Sequence, residues 1–118
     1  MQEVMEARAV ARYVRSSPRK MRLVIDLIRG KSAAEALALL RFTNKRASTV
    51  AEQTLRSAIA NLQAKAENPY LNPESIVVER AYVDNGPMLK RIQPAPMGRA
   101  YRIRKRSHHL TIVVATKD

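Results

Sequence analysis

The sequence predicts an α+β fold, three helices beside strands that include a long β-hairpin. Three observations carry this. Apolar residues recur with a period near 3.6 in three stretches between Pro18 and Glu67. After Pro73 the period changes to 2. The last alternating stretch, Tyr101–Ala115, is too long for the interior of a 118-residue domain. At ~3.3 Å per residue it would extend roughly 50 Å, against a radius of gyration of about 13–14 Å for a compact chain of this size. Part of it must protrude.

The elements follow in order. Val4–Arg15 suits a strand, with Ala7, Ala9, Ala11 and Tyr13 on one face, although its alanines equally tolerate a helix. Ser17-Pro18 opens the first helix, serine as N-cap and proline where a missing N–H costs nothing. Met21, Val24, Ile25 and Ile28 form its apolar stripe, opposite Arg19, Arg22, Asp26 and Arg29, and Gly30 ends it. Ser32 with Glu35 three residues on is a capping-box spacing, and Ala33, Ala36, Leu37 and Leu40 make the second stripe. The third helix starts near Thr43 or Asn44. Its stripe is Ala47, Val50, Ala51, Thr54, Leu55, Ala58 and Leu62, and it should stop before Asn68-Pro69. Spanning Lys45–Glu67, it would be roughly 35 Å long. Beyond it, Ile76, Val78 and Tyr82 alternate with Val77, Ala81 and Val83 as a strand.

Composition narrows the function. The chain carries 22 Lys+Arg against 10 Asp+Glu, a net charge of +12, and a pI near 10.9. Such a surface repels itself unless an anion neutralises it, and nucleic acid is the anion that fits. There are 17 alanines but only one Phe and four Tyr, so the core is thin. No cysteine is present, which removes disulfides and thiolate metal sites. The longest apolar run, Ala36–Leu40, is five residues, far short of the ~20 that span a bilayer. Met1-Gln2-Glu3 starts no signal peptide, so a cytosolic or organellar protein without a membrane partner is expected. One domain over 1–118 is expected, with no internal repeat.

The charge is not evenly spread. Asn85–His109 holds Lys90, Arg91, Arg99, Arg102, Arg104, Lys105 and Arg106 and no carboxylate: +7 in 25 residues, leaving +5 for the other 93. In the terminal strand Arg102, Arg104, Arg106 and His108 share one face, which continues as Leu110, Ile112 and Val114. This reads as a strand rooted in the core at one end and projecting at the other. Guanidiniums ~6.6–7 Å apart roughly match neighbouring phosphates and bind them bidentately. Charged residues also blunt a solvated strand edge without any ligand, but such edges normally mix signs.

Between the strands, Asn85–Arg99 fails to alternate, and three prolines there cannot donate to a ladder. This predicts a hairpin within about residues 80–108 with an irregular tip in Met88–Gly98. Met88, Leu89, Ile92 and Met97 are too apolar for an ordinary free loop, so the tip should be buried against a partner. A second cationic group, Arg12, Arg15, Arg19, Lys20 and Arg22, surrounds the start of the first helix, where Ser16, Ser17 and the free N–H groups also favour phosphate.

Catalysis is not expected. Gly30-Lys31-Ser32 resembles the tail of a P-loop, but Ile25 stands where the motif needs glycine, and a helix precedes it. His108 and His109, adjacent in a strand, point to opposite faces and have no carboxylate between Asp84 and Asp118 to help them. They read as structural or phosphate-contacting residues. No catalytic residue, metal site or cofactor is expected.

Three blocks carry a family resemblance. They are Ala11-Arg12-Tyr13-Val14-Arg15-Ser16-Ser17-Pro18-Arg19-Lys20-Met21-Arg22-Leu23-Val24 with Asp26–Lys31; Tyr82-Val83-Asp84-Asn85-Gly86-Pro87 with Leu89-Lys90-Arg91 and Gly98-Arg99-Ala100; and Lys105–Ile112. Together they closely resemble large-subunit ribosomal protein twenty-two, over nearly the whole chain. The resemblance implies three helices packed on a small antiparallel sheet with a long protruding β-hairpin. It implies a structural constituent that binds large-subunit ribosomal RNA, touches neighbouring ribosomal proteins and aids assembly. The hairpin tip, Met88, Leu89, Lys90, Arg91 and Ile92, would meet the nascent peptide in the exit-tunnel wall, where changes are associated with macrolide resistance. Arg99, Arg102, Arg104, Lys105 and Arg106 would lie on the RNA-threaded stem, and His109 matches the family histidine. Ala95 and Met97 replace basic residues of many bacterial relatives, and His108 replaces a usual serine. A bacterial cytoplasmic ribosome is implied, with an organellar one open. The alternative is a free nucleic-acid-binding regulator. Against it, the longest basic element is an extended hairpin rather than a recognition helix.

Overall fold

The computed structural model describes residues 5–43, 46–85, 89–94, 100–105 and 107–116. In chain order these form β1 (Glu6–Val14), α1 (Pro18–Ile25), α2 (Ala33–Phe42), α3 (Arg46–Lys65), a 3₁₀ turn (Pro73–Ser75), β2 (Ile76–Asn85), β3 (Leu89–Pro94), β4 (Ala100–Lys105) and β5 (His108–Thr116). The class is α+β, as the sequence predicts. β1, β5 and β2 form an antiparallel sheet in that order, and β3 pairs with β4 in a second, two-stranded ladder.

β5 is the central strand, which is why His108 and Leu110–Ala115 are all buried. His108, Leu110, Ile112 and Val114 face the helices, and Ala7, Ala9 and Ala11 of β1 lie on the same inner side of the sheet. The helices close over that side with Met21, Val24, Ile25, Ile28, Leu40, Leu55, Ile59 and Leu62. Ala33, Ala36, Ala47, Ala51 and Ala58 are buried where helices and sheet meet. Their lack of bulk lets α3 sit close, and Asn61 and Lys65 of α3 donate to the Arg8 and Glu6 carbonyls at 2.9 and 2.8 Å.

The structure corrects four local expectations. α1 ends at Ile25 rather than running to Gly30. Residues 26–30 tighten into a turn, with Leu27 and Ile28 bonding the carbonyls three residues back, and Ile28 stays buried. Gly30, at φ +83°, turns the chain so that its N–H donates to the Val78 carbonyl and the Val78 N–H returns to the Lys31 carbonyl, both at 2.9 Å. Arg29, expected on the solvent face, donates through Nε and Nη2 to the Ala81 carbonyl at 3.2 and 2.7 Å. The segment after α1 thus covers the free edge of β2.

In β2 the register with β5 shifts between Val78 and Arg80. Ile76 and Val78 are followed on the inner face by Ala81 and Val83, while Tyr82 is exposed. A strict alternation places Tyr82 inside; one extra residue reverses the parity. The final stretch is not one strand: β4 runs over Ala100–Lys105, β5 begins at His108, and Ser107 belongs to neither. His108 therefore belongs to the core end of that face, not to the cationic end.

The two ladders lie end to end in sequence. Asn85 pairs with His108, and Leu89 with Lys105, so three residues on one side and two on the other join them, a register offset of one. The molecule measures 70 × 25 × 19 Å with a radius of gyration of 17.7 Å, against about 13–14 Å for a compact chain.

Candidate nucleic-acid interface

Two cationic surfaces result. The first surrounds the start of α1. Arg12 lies near the end of β1, Arg15 in the connection, and Arg19, Lys20 and Arg22 stand on the exposed side of α1. No carboxylate occurs between Glu6 and Asp26. Ser17 occupies the N-cap in extended conformation, but its hydroxyl makes no capping bond, and the first turn has no acid. The first-turn amides of Arg19 and Lys20 are thereby without a side-chain cap, and a phosphate oxygen suits them. Alongside, an open groove of about 400 Å³ is lined by Val14, Arg15, Ser16, Arg46, Ala47, Thr49 and Val50.

Beneath this surface lies His108, fully buried. Its Nδ1–H donates to the Ser16 carbonyl at 3.1 Å, tying the root of β5 to the approach of α1. Burial is the main cause that holds its pKa below 6.5; the bond to Ser16 works against this, and His109 and Arg22 nearby add to it. His109 behaves differently. Its Nδ1 accepts the N–H of Tyr13 at 3.0 Å, so the proton of the neutral ring sits on Nε2. Neither histidine faces a partner suited to metal or nucleophile chemistry among the described residues. Among the described residues, no group of three or more His, Cys, Asp or Glu could hold a metal ion.

The second surface is the β3–β4 ladder. Lys90 pairs with Arg104 and Ile92 with Arg102, at register positions of one parity; Lys105 opposite Leu89 and Arg91 opposite Ile103 take the other. The cations are therefore distributed over both parities rather than along one comb. Leu89–Ile92 belong to β3, which continues to Pro94 and pairs with β4 as far as Ala100. Met88, Arg99 and Arg106 lie outside the described residues.

The family described as ribosomal protein L22p/L17e matches residues 9–115, both cationic surfaces included. The chain belongs to the L22p/L17e family. It is 56% identical over 115 residues to the large ribosomal subunit protein uL22 of Macrococcus caseolyticus, covering 97% of this chain and 90% of that one. Identity is also 56% to the uL22 proteins of Thermoanaerobacter sp. strain X514 and Thermoanaerobacter pseudethanolicus, over 97% of this chain and 100% of each. The L22p/L17e family is structural and non-enzymatic. These bacterial relatives indicate a cytoplasmic bacterial ribosome.

Tyr13, like Tyr82, is a residue that sequence alternation misplaces. Ala7, Ala9 and Ala11 do face inward, but the register with β5 shifts between Ala11 and Val14, Tyr13 takes φ +55°, and Val14 packs against the core in its stead. The step of three from Ala11 to Val14 is the signal that a bulge intervenes.

Proposed function

We propose that this protein is a structural constituent of the large ribosomal subunit that binds its ribosomal RNA through both cationic surfaces. In this reading residues 1–118 form one RNA-binding domain, and the hairpin within about 80–108 is its arm. Arg12, Arg15, Ser17, Arg19, Lys20 and Arg22 hold phosphates at the globular end. Lys90, Arg91, Arg99, Arg102, Arg104, Lys105 and Arg106 hold them along the arm, whose far end contributes to the wall of the nascent-peptide tunnel. By joining distant RNA segments the protein aids assembly.

The observation that carries the reading is the arm. An acid-free stretch of 25 residues carries seven cations, and within it Leu89–Pro94 and Ala100–Lys105 pair as a two-stranded ladder separate from the core sheet. Cations on both parities of a thin ladder suit RNA packed around it on all sides, where folding brings phosphates of different segments together. The names of the relatives supply the subunit. Sedimentation tests this: the protein should travel with large subunits through a sucrose gradient and remain there after a moderate salt wash. A wholly free pool contradicts it.

A further inference from the structure

We infer that Tyr13 is a stacking platform for one unpaired RNA base, positioned by His109. The inference rests on the RNA-binding reading above and adds a base contact to it. A tyrosine at φ +55° in a bulged strand is a backbone outlier, and such outliers persist only where surroundings enforce them. The enforcing contact is on the neighbouring strand: the Tyr13 N–H donates to His109 Nδ1 at 3.0 Å. The two rings then meet edge to face, centroids 4.9 Å apart and planes at 86°.

The result is an aromatic ring turned out of the core and fixed, with 63% of the residue open. Nothing in the packing needs it there, since Val14 fills the inward position. Arg12 and Arg15, both exposed, flank it in sequence and suit the phosphates on either side of a stacked nucleotide. An A-form duplex keeps its base faces covered, so the occupant is a base splayed from a loop or bulge. The chain's five aromatics exclude a multi-base stacking groove, but they allow one such point.

The test uses the full chain, deproteinised bacterial large-subunit rRNA and a short oligoadenylate as probes. Tyr13→Leu should weaken rRNA binding roughly 5- to 150-fold, the range expected for one base stack, with the salt dependence unchanged because every phosphate contact remains. Tyr13→Phe should bind as the parent does. Since the chain has no Trp, Tyr13→Trp introduces a single reporter, whose emission oligoadenylate should quench; this readout decides the matter if the leucine variant does not fold. His109→Ala should weaken binding in the parent and have little further effect in the Tyr13→Leu background. Parent-like affinity of a folded Tyr13→Leu, an unquenched reporter, or additive histidine and tyrosine effects would overturn the inference while leaving RNA binding intact. Failure of the parent to bind rRNA at all would overturn the RNA-binding reading itself, and this inference with it.

Discussion

His108 and Ser16 meet below the α1 surface, the imidazole Nδ1–H donating to the Ser16 carbonyl at 3.1 Å, while the buried Nε2 and the Ser16 hydroxyl have no hydrogen-bond partner among the described residues. The contact fixes the end of the arm to the strand–helix junction. It also makes folding sensitive to acid. In the unfolded chain the ring takes a proton near 6.5, whereas burial, aided by Arg22 and His109, keeps the folded ring neutral to lower pH. Between those values the unfolded state binds more protons, so stability is fully present above about 6.5 and declines as pH falls below it. Urea midpoints at pH 7.5 and 5 should show this decline. His108→Gln, which keeps a donor toward Ser16 without titrating, should flatten it; an equally steep decline would assign the effect elsewhere.

Gly30 offers a cleaner stability measurement. A Cβ added there would meet nothing within 4 Å, so the cost of Gly30→Ala is backbone strain alone at φ +83°. A decrease of about 1 kcal/mol is expected from chemical denaturation. An increase would mean the segment relaxes to negative φ while keeping its two bonds to Val78.

Much of this architecture is written locally. Ser32 caps α2 as its spacing predicts, accepting from the Glu35 N–H at 3.2 Å, and the α3 stripe is buried except for half-buried Val50. What the sequence hid were parity changes. Tyr82 and Tyr13 sit at or just past shifts in register, and a period-2 pattern has no place for an inserted residue. The arm is legible as acid-free charge, but its division into β4 and β5 depends on pairing partners far away in sequence. In sequence Arg29 is indistinguishable from an RNA-binding cation; its two bonds to the Ala81 carbonyl set it apart.

That distinction can be measured. Changing Arg102, Arg104 and Arg106 together to Gln should reduce the log–log salt slope of RNA binding by about 0.9 for each phosphate no longer neutralised, the duplex value serving as an upper guide. Arg29→Gln should leave the slope unchanged and lower stability by about 1 kcal/mol, because the Ala81 carbonyl is then without its guanidinium donor. An unchanged slope in the triple variant would make the arm's charges merely solvated.

The central claim is that the arm lies within ribosomal RNA. Photo-crosslinking from Lys90 and Arg102, each replaced by a photoreactive amino acid in assembled large subunits, tests it most directly. The account predicts that both positions crosslink to large-subunit rRNA, at segments different from those reached from Arg19. Crosslinks from the arm to protein alone, or none, would contradict it.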